Sequence, residues 1–464
     1  MRAVAEPSTG EDIGARDREC GDGKSALGES LFARRRRFDN CQAYPTPYRH
    51  TAARAMFATT AAACPAQYPL RRAPSSCRRG RRADSRARRG VALSASPEPR
   101  NSARPMLSFP PEMRTAVEAV QLASRLCMAT QDILVGDDRA AKSDDSPVTV
   151  ADFAAQALVG LWLERSHPDI KLVAEENADA LRVAGGASLS SRVTSLVNET
   201  LANAMEDGFI ESGSIEIPVT DTFVWDAIDR GAGSPSGDGA FWILDPIDGT
   251  KGFIAGRQYA VALGLMVNGS VCGGVLGCPN MPQELIPEDA TFIPPRRPGT
   301  VFAAYEGKGC VAFPTDEKDA LSRSEKNVTP IRADSFASPQ TARYMESWGD
   351  SVVANGDKTS VIAKALGITR TAVRVDSMAK YGALARGDAD LYLRFPPKEY
   401  REKVWDHAAG VAVVEAAGGV ITDGEGNVLD FTKGRFLDQK GGIVASANPS
   451  LHAALLEALA KIDE

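Results

Sequence analysis

The chain has 464 residues, 43% of them hydrophobic, and a formal net charge of −6, so it can bury one large core or two smaller ones. That charge is unevenly divided: residues 1–105 hold 21 Lys and Arg against 10 Asp and Glu, a balance of +11, and the remainder stands at −17. An acidic body is unsuited to a nucleic-acid polymer, and no apolar run approaches the roughly 18 to 20 residues of a membrane span.

Residues 34–104 are rich in Arg, Ala, Ser and Pro, and their paired arginines leave no apolar periodicity to fold around. We read residues 1–105 as a disordered basic targeting segment, a chloroplast or mitochondrial transit peptide, and residues 106–464 as the folded domain. Met56 opens a better targeting start than Met1, because Glu11, Asp12, Asp17, Glu19 and Asp22 are acids that such peptides avoid. Without targeting the chain would be cytoplasmic. Of the eight cysteines, Cys127, Cys272, Cys278 and Cys310 lie in the body. They form no C-x-x-C pair, so a zinc site is not indicated, and buried inert thiols are the commoner outcome.

Pro110-Pro111 introduces a helix in which Ala116, Val120, Ala123, Cys127 and Leu134 share a face. A polar break follows at 142–147. A second amphipathic helix is expected after Asp152, with Phe153, Ala157, Leu158, Leu161 and Trp162 on one side, ending near His167-Pro168. Residues 170–174 read as a strand leading into Glu175-Glu176. Helix is expected over 194–205, with loops at 208–218 and 231–239, and 241–244 is a strand running into Asp245-Pro246-Ile247-Asp248. Residues 259–267 and 271–276 suggest a hairpin around Asn268-Gly269. A Pro-rich loop at 287–299 precedes a strand at 301–305. Further on, helices are expected at 359–366, 378–386 and 405–417 and strands at 372–375 and 389–395, and Gly418-Gly419 can end the last helix. Helices and strands that alternate without a Gly-rich nucleotide fingerprint favour a layered α/β enzyme.

The chemistry concentrates at Asp245 to Thr250. Two carboxylates three apart flank a proline that fixes the backbone, and Gly249 permits a tight turn beside the Thr250 hydroxyl. Divalent magnesium wants such hard oxygen ligands. Glu175-Glu176 at a strand end and Asp406 at a helix opening offer more. The Asp-Pro-Ile-Asp-Gly-Thr-Lys-Gly-Phe run, with Trp405-Asp406-His407-Ala408-Ala409-Gly410 and Glu175-Glu176, resembles the lithium-sensitive inositol monophosphatase superfamily. Four further stretches are similar to its 3′(2′),5′-bisphosphate nucleotidases of the plant and algal type. These are Ser146-Pro-Val-Thr-Val-Ala-Asp152, Asp376-Ser-Met-Ala-Lys-Tyr-Gly-Ala-Leu384, Leu391-Tyr-Leu-Arg-Phe395 and Tyr400-Arg-Glu-Lys-Val-Trp-Asp406. The resemblance covers residues 112–460.

It implies an α-β-α-β-α sandwich with metals at the junction of two sheets, and two magnesium ions with room for a third. Glu175, Asp245 and the Ile247 carbonyl would hold the first, and Asp245, Asp248 and Asp406 the second. Glu175 is favoured over Glu176. Asp152 would accept a proton from the attacking water and Thr250 would orient it, because an isolated Thr is a poor base. Thr250, Ser377, Lys380, Arg394 and Asp406 would contact substrate. The expected reaction is hydrolysis of 3′-phosphoadenosine 5′-phosphate, and of its sulfated relative 3′-phosphoadenylyl sulfate, by a monomer that lithium inhibits. An inositol monophosphatase, an inositol polyphosphate 1-phosphatase or a non-catalytic nucleotide-binding protein are the alternatives. One departure stands out: relatives carry a nucleotide-contacting histidine after a Glu-Ser pair, and this chain has Trp348 to Ser360 there without one. Asn355 or Ser351 would take over the polar contact, and Trp348 could stack on adenine.

Overall fold

A computed structural model describes residues 108–136, 147–183, 185–321, 327–348, 351–397 and 399–463. The expected targeting segment, with Met56, lies outside the described residues, as do Ser146 and nearly all of the 142–147 break. Ser351 and Asn355 lie in a described helix, but their side chains are outside the described set.

Helix α1 (Pro111–Gly136) starts with proline at its first position, where the missing N–H costs nothing. Helix α2 (Pro147–Ser166) uses the same device. It therefore begins five residues before Asp152, which lies inside the helix rather than ahead of it. Strand β1 (Lys171–Ala174) follows, then helices α3 (Asp179–Arg182), α4 (Ala187–Glu206) and α5 (Asp221–Asp229). Helix α4 starts seven residues earlier than expected, and α5 is new. Strand β2 (Ala240–Asp248) runs through the Asp-Pro-Ile-Asp sequence, and the short helix α6 (Thr250–Ile254) follows it. Strands β3 (Ala260–Val267) and β4 (Ser270–Cys278) form the expected hairpin, with φ of 50° at Asn268 and 84° at Gly269. Those two left-handed residues match the twist of the flanking strands. Strands β5 (Thr300–Tyr305), β6 (Gly309–Pro314) and β7 (Thr329–Ile331) complete a seven-stranded sheet in the order β1 to β7, in which only β1 and β2 are parallel.

The second half adds β8 (Tyr344–Glu346), α7 (Ser351–Ala365), β9 (Val373–Arg374), α8 (Ala379–Arg386), β10 (Leu391–Arg394) and α9 (Ala408–Ala416). Strands β11 (Val420–Asp423) and β12 (Ile443–Ser446) and helix α10 (Pro449–Asp463) close the chain. The second sheet runs β11-β12-β10-β8-β9. Helix α9 starts two residues after Asp406, with His407 as its cap, so Asp406 precedes the helix instead of opening it. It ends as Gly418-Gly419 suggests. The Gly418 N–H donates to the Glu415 carbonyl and the Gly419 N–H to that of Val414, with Gly418 at φ 95°.

Five layers result: α1, α2, α4 and α5; the large sheet; α8 and α9; the small sheet; α7 and α10. Strand alternation sets the two cores. Phe241, Ile243, Ala260, Ala262 and Phe302 face α8 and α9, whereas Trp242, Leu244, Val261, Leu263 and Val301 face α1 and α2. The pairing of β3 with β4 skips Cys272, which puts Cys272 and Cys278 in different cores. All four body cysteines are free and buried.

Candidate active site

Because β1 and β2 are parallel with Ala174 opposite Leu244, Glu175, just past the end of β1, and Asp245, still in β2, follow side by side. Asp245 pairs with Ala262 and Asp248 with Ala260, so the Pro246-Ile247 segment adds one residue to β2 relative to β3. Residues three apart in a strand face opposite ways, and this bulge turns Asp248 back toward Asp245. Gly249 then takes φ 86°, and a Cβ there would lie 2.6 Å from that of Ser377. The close approach lets the Met378 N–H donate to Asp248 Oδ2. Ser377 itself holds φ 67°, which is costly for a non-glycine residue and characteristic of functional loops.

The carboxylates converge. Asp245 is 3% exposed and its Oδ1 has no hydrogen-bond partner. Burial pushes its pKa well up, and Asp248, Glu175, Asp406 and Asp152 raise it further. Burial, Glu176, Asp406 and Asp248 lift Glu175 to about 7. Asp248 reaches about 6 through burial and Asp406, against the Met378 N–H, Lys380 and Arg394. Asp406 is raised chiefly by burial. Asp152, on α2, rises through burial, then Glu176 and Glu175. Glu175 thus faces the Asp245–Asp248–Asp406 group. Glu176 is held differently: its N–H donates to Gln156 Oε1 at 2.9 Å, and its carbonyl accepts from Gln156 Nε2 at 2.8 Å. Carboxylates gathered so closely, one with an unpartnered buried oxygen, fit a hard cation.

Thr250 begins α6 and is exposed, with Oγ1 3.5 Å from the Ile247 carbonyl oxygen. Lys380 is 4% exposed, and burial lowers it to about 8 even though Asp248 and Asp376 favour its charge. Its Nζ lies 3.3 Å from the Ser377 carbonyl oxygen, and the Ser377 hydroxyl accepts from the Ala379 N–H at 3.1 Å. Arg394 reaches the site from β10, but its Nε is committed to Glu402 Oε1 at 2.7 Å, with Nη2 3.6 Å from Asp406 Oδ2. The Trp348 N–H donates to Asp376 Oδ1, and its ring packs edge-on to Phe292, 6.2 Å between centroids.

A network that sequence reasoning missed stands behind Asp406. Glu402 and His407 are fully buried, with 3.1 Å between Glu402 Oε2 and His407 Nε2, and 2.7 Å separates Tyr381 Oη from His407 Nδ1. Burial would raise Glu402, but the hydrogen bond and charge of His407 and the Arg394 guanidinium outweigh it and bring Glu402 to about 2. Glu402, Asp406 and His407 each offer a ligand atom within 4.8 Å of one another. Glu402 is already engaged by Arg394 and His407, so of the three Asp406 is the one turned to the carboxylate cluster. Only the Trp-Asp-His sequence hinted at this, because Tyr381 lies 26 residues from its partner.

The inositol monophosphatase family model matches residues 111–464. The chain belongs to that family. Among curated members, a 3′(2′),5′-bisphosphate nucleotidase of Oryza sativa is 42% identical over 75% of this chain and 93% of its own. A 3′,5′-bisphosphate nucleotidase 2 of Arabidopsis thaliana is 40% identical over 73% and 93%. A solved inositol monophosphatase from Anabaena is 18% identical over 75% of this chain and 94% of that one, with a TM-score of 0.45. The family is metal-dependent, in keeping with the donor set here.

Proposed function

We propose that this chain is a magnesium-dependent phosphomonoesterase that hydrolyses the 3′-phosphate of adenosine 3′,5′-bisphosphate, giving AMP and inorganic phosphate. The observation that carries the reading is the convergence of Asp152, Glu175, Asp245, Asp248 and Asp406 around the unpartnered Asp245 oxygen. The printed names of relatives at 40 to 42% identity favour the nucleotide. Glu175, Asp245, the Ile247 carbonyl, Asp248 and Asp406 would hold two magnesium ions, which when bound neutralise phosphoryl charge and acidify water.

The chain's own groups account for the rest. Asp152 accepts the proton of the attacking water at its carboxylate, and the Thr250 hydroxyl orients that water. Water oxygen bonds to phosphorus as the bond to the 3′-oxygen breaks. That oxygen takes a proton from a solvent water to leave as a hydroxyl, and Asp152 returns its proton to the solvent hydroxide so formed. Lys380, Ser377 and Arg394 provide positive charge and hydrogen bonds for the second phosphate and ribose. Trp348, backed by Phe292 and Arg257, is the aromatic face for adenine. We further assign residues 1–105 to organelle targeting and the folded body to a monomer. Among the described residues no helix is long and apolar enough to cross a membrane.

A substrate panel tests the reading: adenosine 3′,5′-bisphosphate against inositol 1,4-bisphosphate, with magnesium and with added lithium. The nucleotide should be strongly preferred and lithium should inhibit. A hundredfold preference for the inositide would overturn the substrate assignment. Asp245→Asn should lower kcat by more than the roughly 10- to 100-fold typical when an outer partner of a metal ligand is lost, and unchanged turnover would refute catalysis at this centre.

A further inference from the structure

We infer that Arg435 is a positioning residue that fixes the separation of Glu175 and Asp406, and through it the affinity of the centre for divalent cation. The inference rests on the metal-centre reading above. Arg435 lies in the connection between β11 and β12, far in sequence from every acid of the cluster. Its guanidinium is spent on main-chain carbonyls instead of carboxylates. Nη2 donates to the carbonyl of Ala174, the last residue of β1 and the neighbour of Glu175. Nη1 donates to Gly231 at 2.8 Å and Gly233 at 3.1 Å.

The opposite side of the same residue holds the approach to Asp406. The Arg435 guanidinium carbon lies 4.6 Å from the ring centroid of Trp405, the residue before Asp406. Its carbonyl accepts from the Val404 N–H at 3.1 Å, the Leu437 N–H donates to the Glu402 carbonyl at 2.9 Å, and Lys403 and Phe436 form a bridge. One residue therefore joins the end of a strand in the large sheet to the stretch that leaves the small sheet, and the last residue before each acid is in its grasp. Glu175 and Asp406 come from different layers, and among the described residues no strand pairing joins β1 to residues 402–406. A planar fork with five donors can span these carbonyls and stack on an indole at once, whereas an ammonium on a flexible stem cannot.

The test is Arg435→Lys in the full chain, with Mn2+ as the probe. Free Mn2+ is titrated by electron paramagnetic resonance without substrate, and thermal unfolding is measured in chelator. Turnover is then measured at saturating magnesium. The expected result is a 10- to 100-fold weaker Mn2+ affinity, the usual range for a residue that orients metal ligands, with KM for nucleotide at saturating magnesium changed less than about threefold, the lost grip being on the cation. Wild-type Mn2+ affinity in the variant, with only a lower unfolding temperature, would overturn the proposal and leave Arg435 a plain structural brace. If Arg435→Lys does not fold, Trp405→Phe narrows the stacking surface alone, and a smaller loss of Mn2+ affinity is expected, with none overturning the proposal. Wild-type protein that takes up no Mn2+ would instead bring down the metal-centre reading, and this proposal with it.

Discussion

Arg394 is a side chain for which the sequence cannot separate two tasks, holding substrate phosphate and holding a neighbouring carboxylate. Its place in Leu391-Tyr-Leu-Arg-Phe suggested a ligand for substrate phosphate. In the fold its Nε is bound to Glu402, a fully buried carboxylate, and its side chain is about one-third exposed toward Asp406. Arg394→Ala would therefore leave Glu402 with His407 as its remaining side-chain partner. A buried acceptor that loses a charged donor costs about 1 to 3 kcal/mol, and urea unfolding should read a loss of that size. The same variant should lower kcat/KM for adenosine 3′,5′-bisphosphate more than for a monophosphate that lacks the second phosphate. Equal losses on the two substrates, together with the stability loss, would show that the guanidinium serves Glu402 and Asp406 alone.

Helices α8 and α9 hold the middle layer together by contact closer than ordinary side chains allow. Gly410 lies under the Tyr381 ring, and a Cβ there would sit 2.6 Å from Cε2, inside van der Waals contact. Tyr381 is buried and its hydroxyl meets His407, so the ring has little room to yield. Gly410→Ala should cost about 1 to 3 kcal/mol through overpacking, against a small gain in helix propensity. It should also push Tyr381 off His407, so activity at saturating magnesium should fall alongside the melting temperature; a variant as stable and active as wild type would contradict the packing described. None of this close packing is visible in sequence, where Gly410 is only part of the Trp-Asp-His-Ala-Ala-Gly run. What was legible shares one property: the signal is local. The three- and four-residue apolar spacing of the 26-residue α1, the Asn-Gly hairpin and the Gly-Gly stop after α9 each lie within a few residues of the feature they specify. Helix α5 and strands β6, β7, β8, β11 and β12 went unread. Shortness alone is not the reason, since α8, of eight residues, and β1 and β10, of four, were read beside their own local motifs. Helix α10 carries a readable spacing, Leu451, Leu455 and Leu459, that the sequence reading leaves unassigned. The five acids that converge here were legible as candidates for the same local reason, since each sits in a short motif. Glu402, Tyr381 and Arg435 were not, because their roles arise from contacts between separate layers.

The whole molecule is arranged so that folding assembles mutually repelling carboxylates, and this has a consequence for stability against pH. In the unfolded chain these groups ionise near pH 4. In the folded chain Glu175 titrates at about 7 and Asp248 at about 6, and Asp152, Asp245 and Asp406 are also raised. Between those limits the native state binds more protons than the unfolded state, so this set loses stability as pH rises from about 4 to about 7. His452 acts the other way. Burial lowers its pKa, so its contribution is lost as pH falls below its ordinary value near 6.5, but it is one group against five. Glu402, held at about 2, affects only more acidic solutions. The melting temperature in chelator should therefore decline from pH 5 to pH 7.5. Magnesium should reverse that slope, since a divalent cation favours the ionised ligands and displaces their protons. With free cation at about a hundred times its dissociation constant, roughly 2.7 kcal/mol is regained, and the gain should be larger at pH 7.5 than at pH 5. Differential scanning calorimetry at both pH values, with and without magnesium, reads all four numbers. A magnesium effect that is equal at the two pH values would mean that cation binding is not coupled to these carboxylates.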